Sequence, residues 1–365
     1  MPDQAHHPDR SPIRDVQSYI GLPLIYNHWY VAGFDEEFGE TPKAKTLLER
    51  SIVFYRTKAG ELTALQNRCL HRSFPLADGT LNGDNLVCGY HGMEYAPDGR
   101  IVRIPCQDRV PNRKLKKYPL RKQGPYIFIW MGDEDAVDES KLPDFGFLGD
   151  PQYESVHEEK YVEGSYLLMM ENLNDLTHFS FLHANSFAFG EYFGRLETEA
   201  GKDEEGVYCY RLDRDWKRQT ERLPPALQEK LKGKEVLNRN GGVNAGPGLF
   251  KGFSPLYVYG ADGEVEMELK TYVMHFVTPE TKTTAHYWWS LCRDYGLGND
   301  EAKAATKALF SRAFDEDLWA IRNMQALLEQ DHADYEELII AGDQAGMLFR
   351  REVLEWVKAE YPEFR

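Results

Sequence analysis

Between Trp29 and Trp130 the apolar residues fall in short runs, HWYVAG, SIVFYRT, LTALQN and YIFIWMG. The runs are separated by turn signals at Lys58-Ala59-Gly60, Asp78-Gly79 and Pro97-Asp98-Gly99. That pattern predicts strands joined by tight turns, and residues 21–135 read as an all-β domain. The acidic stretch from Gly132 to Glu139 reads as a linker. From about Tyr161 the pattern changes, and residues 150–365 read as an α+β domain. LLMMENLNDLTHFSFLH has helical spacing. TYVMHFVTPE and TAHYWWSLCRDY predict neighbouring strands of a sheet that buries one face. From Asn299 the apolar residues recur at three- and four-residue steps, which predicts helices.

Composition narrows the picture. Of the 365 residues, 42% are hydrophobic and 13% aromatic, enough for a large core and more than one domain. No apolar run is long enough to span a bilayer. Residues 1–20 begin MPDQAHHPDRSP and read as a disordered tail in which His6 and His7 are solvated. Without an apolar signal core, a cytoplasmic location is expected. A net charge of −16 argues against a nucleic-acid partner. Cys106, Cys209 and Cys292 are scattered, as reduced core thiols would be. NRNGGVNAGPGLFKGFSP is glycine-rich without being a phosphate or dinucleotide loop, and reads as a mobile loop or pocket wall.

Chemistry enters with two mixed pairs, Cys69-Leu70-His71 and Cys88-Gly89-Tyr90-His91, sixteen residues apart. A zinc finger sorts its cysteines and histidines into separate pairs. One thiolate and one imidazole per pair suit a [2Fe–2S] cluster with one iron on two Cys and the other on two His, the Rieske arrangement. Gly89 and Gly92 would let backbone N–H groups approach the sulfurs. No flavin or nicotinamide site is visible, so electrons are expected from a separate protein, an NAD(P)H-dependent reductase and/or a ferredoxin.

A second centre is suggested by Asn172, Asp175 and His178, which step by three and would share a helix face. His183 lies five residues past His178, about 140° round an ideal helix. One ion can reach both only if the helix ends or distorts between them. Two histidines and a distant carboxylate make the facial triad of non-haem Fe(II) oxygenases. Asp317 is the best third ligand, with Asp315 the competitor about 200° away on the same helix.

These motifs, with NHWYVAG, NLNDLTHFSFLHANS, HFVTPET, AHYWWSLCRD, EDLWAIRNMQ and DQAGMLFRREV, resemble the Rieske non-haem iron oxygenase α-subunits over nearly the whole chain. The likeness is to the vanillate O-demethylase and dicamba monooxygenase type. The resemblance implies a Rieske domain followed by a helix-grip-like α+β catalytic domain with an antiparallel sheet. It implies that His178, His183 and Asp317 bind Fe(II), that Asp175 is the catalytic bridging carboxylate, and that three subunits form a ring. In such a homotrimer Asp175 would join His178 of one subunit to His91 of the next. The implied activity uses O2 to oxidise an aromatic or heterocyclic small molecule by O- or N-demethylation or monohydroxylation. The alternative is ring cis-dihydroxylation. A pure electron carrier, or a binding protein with a relic cluster, would lack the triad.

His275 matches a pocket position in that family and is a candidate substrate-binding residue; a satisfied sheet histidine is the plainer reading. Phe179, Phe181, Phe187 and Phe189 read as pocket or core. Arg109 to Lys122 carries seven Lys/Arg and reads either as a solvated face or as a docking patch for an acidic redox partner.

Overall fold

The structure, a computed structural model, describes residues 13–187, 193–215, 223, 225–331 and 337–364. His6, His7 and Phe189 lie outside them. The chain divides into two compact units. One is Tyr26–Gly146 with Thr278–Thr281; the other comprises the described parts of Met1–Ile25, Phe147–Val277 and Lys282–Arg365.

The first unit is built of antiparallel strands. β1 (Trp29–Phe34), β10 (Tyr126–Trp130) and β9 (Leu120–Gln123) form one sheet, and β2 (Lys43–Leu47), β3 (Arg50–Arg56) and β4 (Leu62–Gln66) a second. A third holds β5 (Thr80–Asn82), β6 (Asn85–Val87), β7 (Glu94–Tyr95) and β8 (Ile101–Arg103). β1 and β10 are buried at every position, which is why both read as unbroken apolar runs. Trp29 faces Trp130 across the ladder, with the rings edge-on at 5.7 Å.

Buried indole N–H groups need acceptors. Trp29 Nε1 donates to the Asp138 carbonyl at 2.9 Å and Trp130 Nε1 to the Asp133 carbonyl at 2.8 Å. The acidic stretch expected as a linker is therefore a strap, held on the first unit by the two tryptophans. Cys106, expected in the core, is exposed in the turn closed by Gln107 N–H on the Ile104 carbonyl.

The second unit carries a nine-stranded sheet. Its path is β11 (Glu154–Val162), β19 (Ala285–Arg293), β18 (Thr271–Pro279), β15 (Leu249–Phe253), β14 (Glu235–Gly246), β13 (Val207–Asp213), β12 (Glu199–Lys202). β16 (Leu256–Tyr259) pairs with β14 and with β17 (Val265–Leu269). The expected α+β class with an antiparallel sheet is what the two units show. β18 and β19 are neighbours as expected, but β19 is buried on both faces, not one. Tyr287 and Trp289 pack on Phe314, while Trp288, Ser290 and Cys292 are buried on the other side.

Four helices of this unit matter below: α1 (Val16–Ile20), α2 (Tyr166–Asn174), α3 (Asp300–Gln330) and α4 (Gln344–Glu360). Within the stretch expected as a disordered tail, the described residues from 13 onward include an ordered helix, α1. Asp15 caps it, and Tyr19 is fully buried with the Arg350 guanidinium 4.9 Å from its ring. The glycine-rich segment is not a loop; it forms β14 and β15. A Cβ on Gly241 would stand 2.0 Å from the Cys209 carbonyl oxygen, so glycine is what permits the close pairing of β14 with β13.

α2 and α3 are joined at two points. Ser165, the N-cap of α2, donates its backbone N–H to Gln325 Oε1 at 2.9 Å, and Asn172 Nδ2 donates to Asp317 Oδ1 at 3.1 Å. Residue numbers rise along α2 as they fall along α3, so the helices run antiparallel in a fixed register. The buried stripe of α3 (Ala313, Phe314, Asp317, Ile321, Gln325) recurs near every fourth residue, as one helix face requires.

Candidate metal centres and cavity

In the first unit, the four Cys/His residues sit on two loops closed in the same way. Ser73 N–H bonds the Cys69 carbonyl and Cys69 N–H the Phe74 carbonyl, both at 3.0 Å. Gly92 N–H bonds the Cys88 carbonyl at 3.0 Å and Cys88 N–H the Met93 carbonyl at 2.9 Å. The residue four past each cysteine takes a left-handed conformation, Ser73 at φ 57° and Gly92 at φ 69°. Cys69 and Cys88 are buried in an apolar cluster with Leu76, Leu86 and Tyr95, while His71 and His91 are exposed with ring centroids 4.6 Å apart.

Burial pushes the Cys88 thiol up, as does the adjacent Cys69 thiol, against the backbone N–H groups of Tyr90 and His91 that bond its sulfur. Tyr95, which sequence reasoning missed, places its hydroxyl 3.2 Å from Cys69 Sγ and 3.0 Å from Leu70 N–H. Two buried thiols beside two imidazoles are the donor set a Rieske cluster uses, so the residues present suit that group.

In the second unit, α2 ends at Asn174, before either histidine. Asp175 is its C-cap in extended conformation (φ −97°, ψ 117°), and Asp175 Oδ1 accepts Thr177 N–H at 2.6 Å. The expectation of one helix face for Asn172, Asp175 and His178 is thus corrected: a short Asp side chain that bonds the backbone ahead of it competes with the helix. His178 opens a 3-10 turn, and His183 opens a further turn by accepting Ser186 and Phe187 N–H. The break expected between the histidines lies earlier, and each imidazole is set by its own turn.

The two turns bring His178 and His183 to Asp317. Nε2 of His178 is 3.5 Å and Nε2 of His183 3.3 Å from Asp317 Oδ1, and one ligand atom of each residue lies within 4.8 Å of the others. Asp315 is elsewhere: its exposed carboxylate pairs with Lys160 Nζ at 2.6 Å. The far nitrogens of both rings also face carboxylates. Nδ1 of His183 is 2.8 Å from Glu316 Oε2, and Ser186 Oγ holds the other Glu316 oxygen at 2.8 Å. Nδ1 of His178 is 3.6 Å from Asp175 Oδ2. Glu316 was missed by sequence reasoning; its one signal is the acidic run Asp315-Glu316-Asp317.

Burial raises the Asp175 carboxyl, but His178 and Thr177 outweigh it and hold the carboxyl below its usual range. Burial lowers His183, but Asp317 and Glu316 outweigh it and lift the imidazole above its usual value. Two imidazole nitrogens and a carboxylate oxygen converging on one point, with carboxylates behind the rings, suit a divalent iron.

A cavity of about 640 Å³ opens from the triad, lined by α2, α3 and the strands β14, β15, β18 and β19. Phe179 and Phe187 line it, whereas Phe181 is 72% exposed. His275 lines it as well. Its Nδ1 is 2.7 Å from the Tyr287 hydroxyl, and burial drops its pKa to about 3, so the ring is neutral at physiological pH. Gly241 and Gly252 of the glycine-rich segment contribute to the wall.

The basic stretch is in part neutralised. Lys114 pairs with Glu134, Arg121 with Glu139 and Lys122 with Asp35.

Comparison with known proteins follows the same division. Residues 162–359 match the family described as Vanillate O-demethylase oxygenase C-terminal domain, and residues 28–119 match the Rieske [2Fe-2S] domain. The oxygenase component of dicamba O-demethylase from Stenotrophomonas maltophilia is 26% identical, over 91% of this chain and 97% of its own. The oxygenase component of chloroacetanilide N-alkylformylase from Rhizorhabdus wittichii is 27% identical, over 92% and 97%. Among solved structures, dicamba monooxygenase bound to 3,6-dichlorosalicylic acid superimposes with a TM-score of 0.79 at 27% identity, covering 93% of this chain and 99% of that one.

Proposed function

The chain belongs to the vanillate O-demethylase oxygenase family and carries a Rieske [2Fe–2S] domain, and from that premise we propose how its residues divide the work. It is an oxidoreductase, the oxygenase component of a system whose electrons come from a separate reductase or ferredoxin. When bound, the cluster supplies electrons singly and the iron supplies the oxidising chemistry toward O2.

His178, His183 and Asp317 would hold the iron. Glu316 holds the His183 ring through Nδ1 and Asp175 faces Nδ1 of His178, which leaves both Nε2 atoms toward Asp317, where an iron would bind. Cys69, His71, Cys88 and His91 would hold the cluster. The convergence of His178, His183 and Asp317 at one wall of the cavity is the observation that supports this assignment.

The cavity walls receive an aromatic substrate and exclude water. Neutral His275, tethered by Tyr287, offers a hydrogen bond to a polar substrate group. The relatives that remove O-alkyl or N-alkyl groups favour demethylation or monooxygenation over ring cis-dihydroxylation. In the family's three-subunit arrangement, Asp175 would join His178 to His91 of the next subunit. Its low pKa keeps it an acceptor for both N–H groups. None of the described helices is long and apolar enough to cross a membrane.

The test supplies a surrogate reductase, NADH and a panel of methoxy- and N-methyl-arenes, and follows formaldehyde together with oxygen uptake. Coupled release of formaldehyde from a panel member is expected. Oxygen uptake with a cis-diol product and no formaldehyde would move the reading to dihydroxylation.

A further inference from the structure

The cavity is long, and its two ends differ chemically. Along α3 it is lined by Ala302, Thr306, Leu309, Phe310, Phe314 and Asp317, one stripe of the helix. At the helical rise, Ala302 and Asp317 are about 22 Å apart along the axis. The sheet lines a shorter stretch, from His275 to Thr271 on β18, about 13 Å at the strand rise. His275 and Tyr287 meet Phe314 at the triad end, with the His275 and Phe314 ring centroids 5.2 Å apart. On β19 the lining residues are Leu291 and Arg293, and Arg293 marks the other end. There Glu154 accepts both Arg293 Nη2 and Gly298 N–H, just before Asn299 caps α3, and Thr271 Oγ1 meets the Tyr295 hydroxyl at 2.9 Å.

Volume agrees with length. A cavity of ~150 Å³ accepts one benzene ring; this one has about 640 Å³. Between the ends Val273, Leu309 and Phe310 line it, while Asn238, Asn240 and Ser254 add polar groups. Among the described residues that line the cavity, Arg293 is the one with a fixed positive charge. Its side chain is 13% exposed, and its contact with Glu154 is long, 3.4 Å. A guanidinium carries five N–H donors in a planar fork that matches a carboxylate. One long bond to Glu154 leaves donors for a ligand.

We infer that the substrate is an elongated aromatic ether or amine, more than one ring in length, whose anionic group is held by Arg293 at the end of the cavity remote from the triad. This rests on the oxygenase reading for the chemistry at the triad, but the ligand shape and charge follow from the cavity alone. Arg293 acts here as a specificity residue: it fixes which end of the molecule faces Asp317.

Binding to the full-length, iron-loaded protein tests this by calorimetry, with three ligands: 4-methoxybenzoate, 4′-methoxybiphenyl-4-carboxylate and uncharged 4-methoxybiphenyl. The long acid is expected to bind at least tenfold more tightly than the short one. Arg293→Met should weaken the long acid about tenfold or more while changing the neutral biphenyl less than twofold. Arg293→Lys should retain part of the preference for the acid. Equal affinity for short and long acids, an equal loss for acid and neutral ligand in Arg293→Met, or no binding of the long acid would each overturn the inference. The neutral ligand reports whether the variant is folded; if Arg293→Met does not fold, the wild-type length series and Arg293→Lys decide. Formaldehyde release is scored separately, so tight binding without turnover would count against the oxygenase reading and not against the ligand class.

Discussion

Glu316 Oε2 lies 2.8 Å from Nδ1 of His183, on the side of the ring opposite Asp317. Neighbours on α3 thus meet one imidazole at both nitrogens, Asp317 across the metal site and Glu316 behind it. A carboxylate behind a ligand ring fixes its tautomer and raises its basicity. Glu316→Gln is expected to lower iron affinity about 10–100-fold and to leave the cluster in place. Iron content after dialysis against graded chelator, with cluster absorbance as the internal reference, measures both.

Asp175 leaves α2 as its C-cap and faces His178 at 3.6 Å. Asp175→Asn keeps the Thr177 turn but removes the negative charge. Both metals should stay at wild-type occupancy while turnover falls at least a hundredfold. Parental turnover in that variant would show that the carboxylate has no part in coupling the two centres.

The Tyr95 hydroxyl touches Cys69 Sγ at 3.2 Å. Hydrogen bonds to cluster sulfurs raise the reduction potential. Removing one of about 1 kcal/mol corresponds to roughly 40 mV for one electron. Tyr95→Phe should therefore lower the midpoint potential by that order, read by a redox titration followed by electron paramagnetic resonance. The hydroxyl also accepts Leu70 N–H and donates to Met93 Sδ at 2.8 Å; a potential that does not move would leave it those two roles alone.

His28 in the first unit is buried, and desolvation takes its pKa to about 3. Unfolded, it titrates near 6.5. Below pH 6.5 the unfolded chain binds a proton that the folded chain refuses, so stability is complete above about 6.5 and is lost as pH falls toward 3. The loss for this group is about 1.4 kcal/mol per pH unit. Thermal melts at pH 7.5 and 5.5 should show a smaller downward shift in His28→Asn than in the parent.

Gln325 Oε1 accepts the buried Ser165 N–H that starts α2. Gln325→Ala leaves that donor unpaired and should cost about 1–3 kcal/mol, seen as a lower melting temperature. Because the same contact sets the register of α2 against α3, iron affinity should weaken as well.

The sequence by itself determined the parts whose signal is local. The two Cys/His pairs carry their own turns, and β1, β3, β4 and β10 were visible as short apolar runs between turn residues. The late helices were visible from periodicity, and the angle round α3 put Asp315 and Asp317 on different faces, while the family resemblance pointed to Asp317. Local signals also misled. Asn172, Asp175 and His178 step as a helix would, yet Asp175 ends α2 by bonding Thr177; the glycine-rich segment looked irregular yet pairs as strands. Only the tertiary structure decided which distant groups meet. His183 and Glu316 are 133 residues apart, and Tyr95 and Cys69 are 26 apart. The length of the cavity depends on how α3 lies along β18 and β19. Such contacts are fixed by the packing of whole elements, and no residue pattern within one segment encodes its partner.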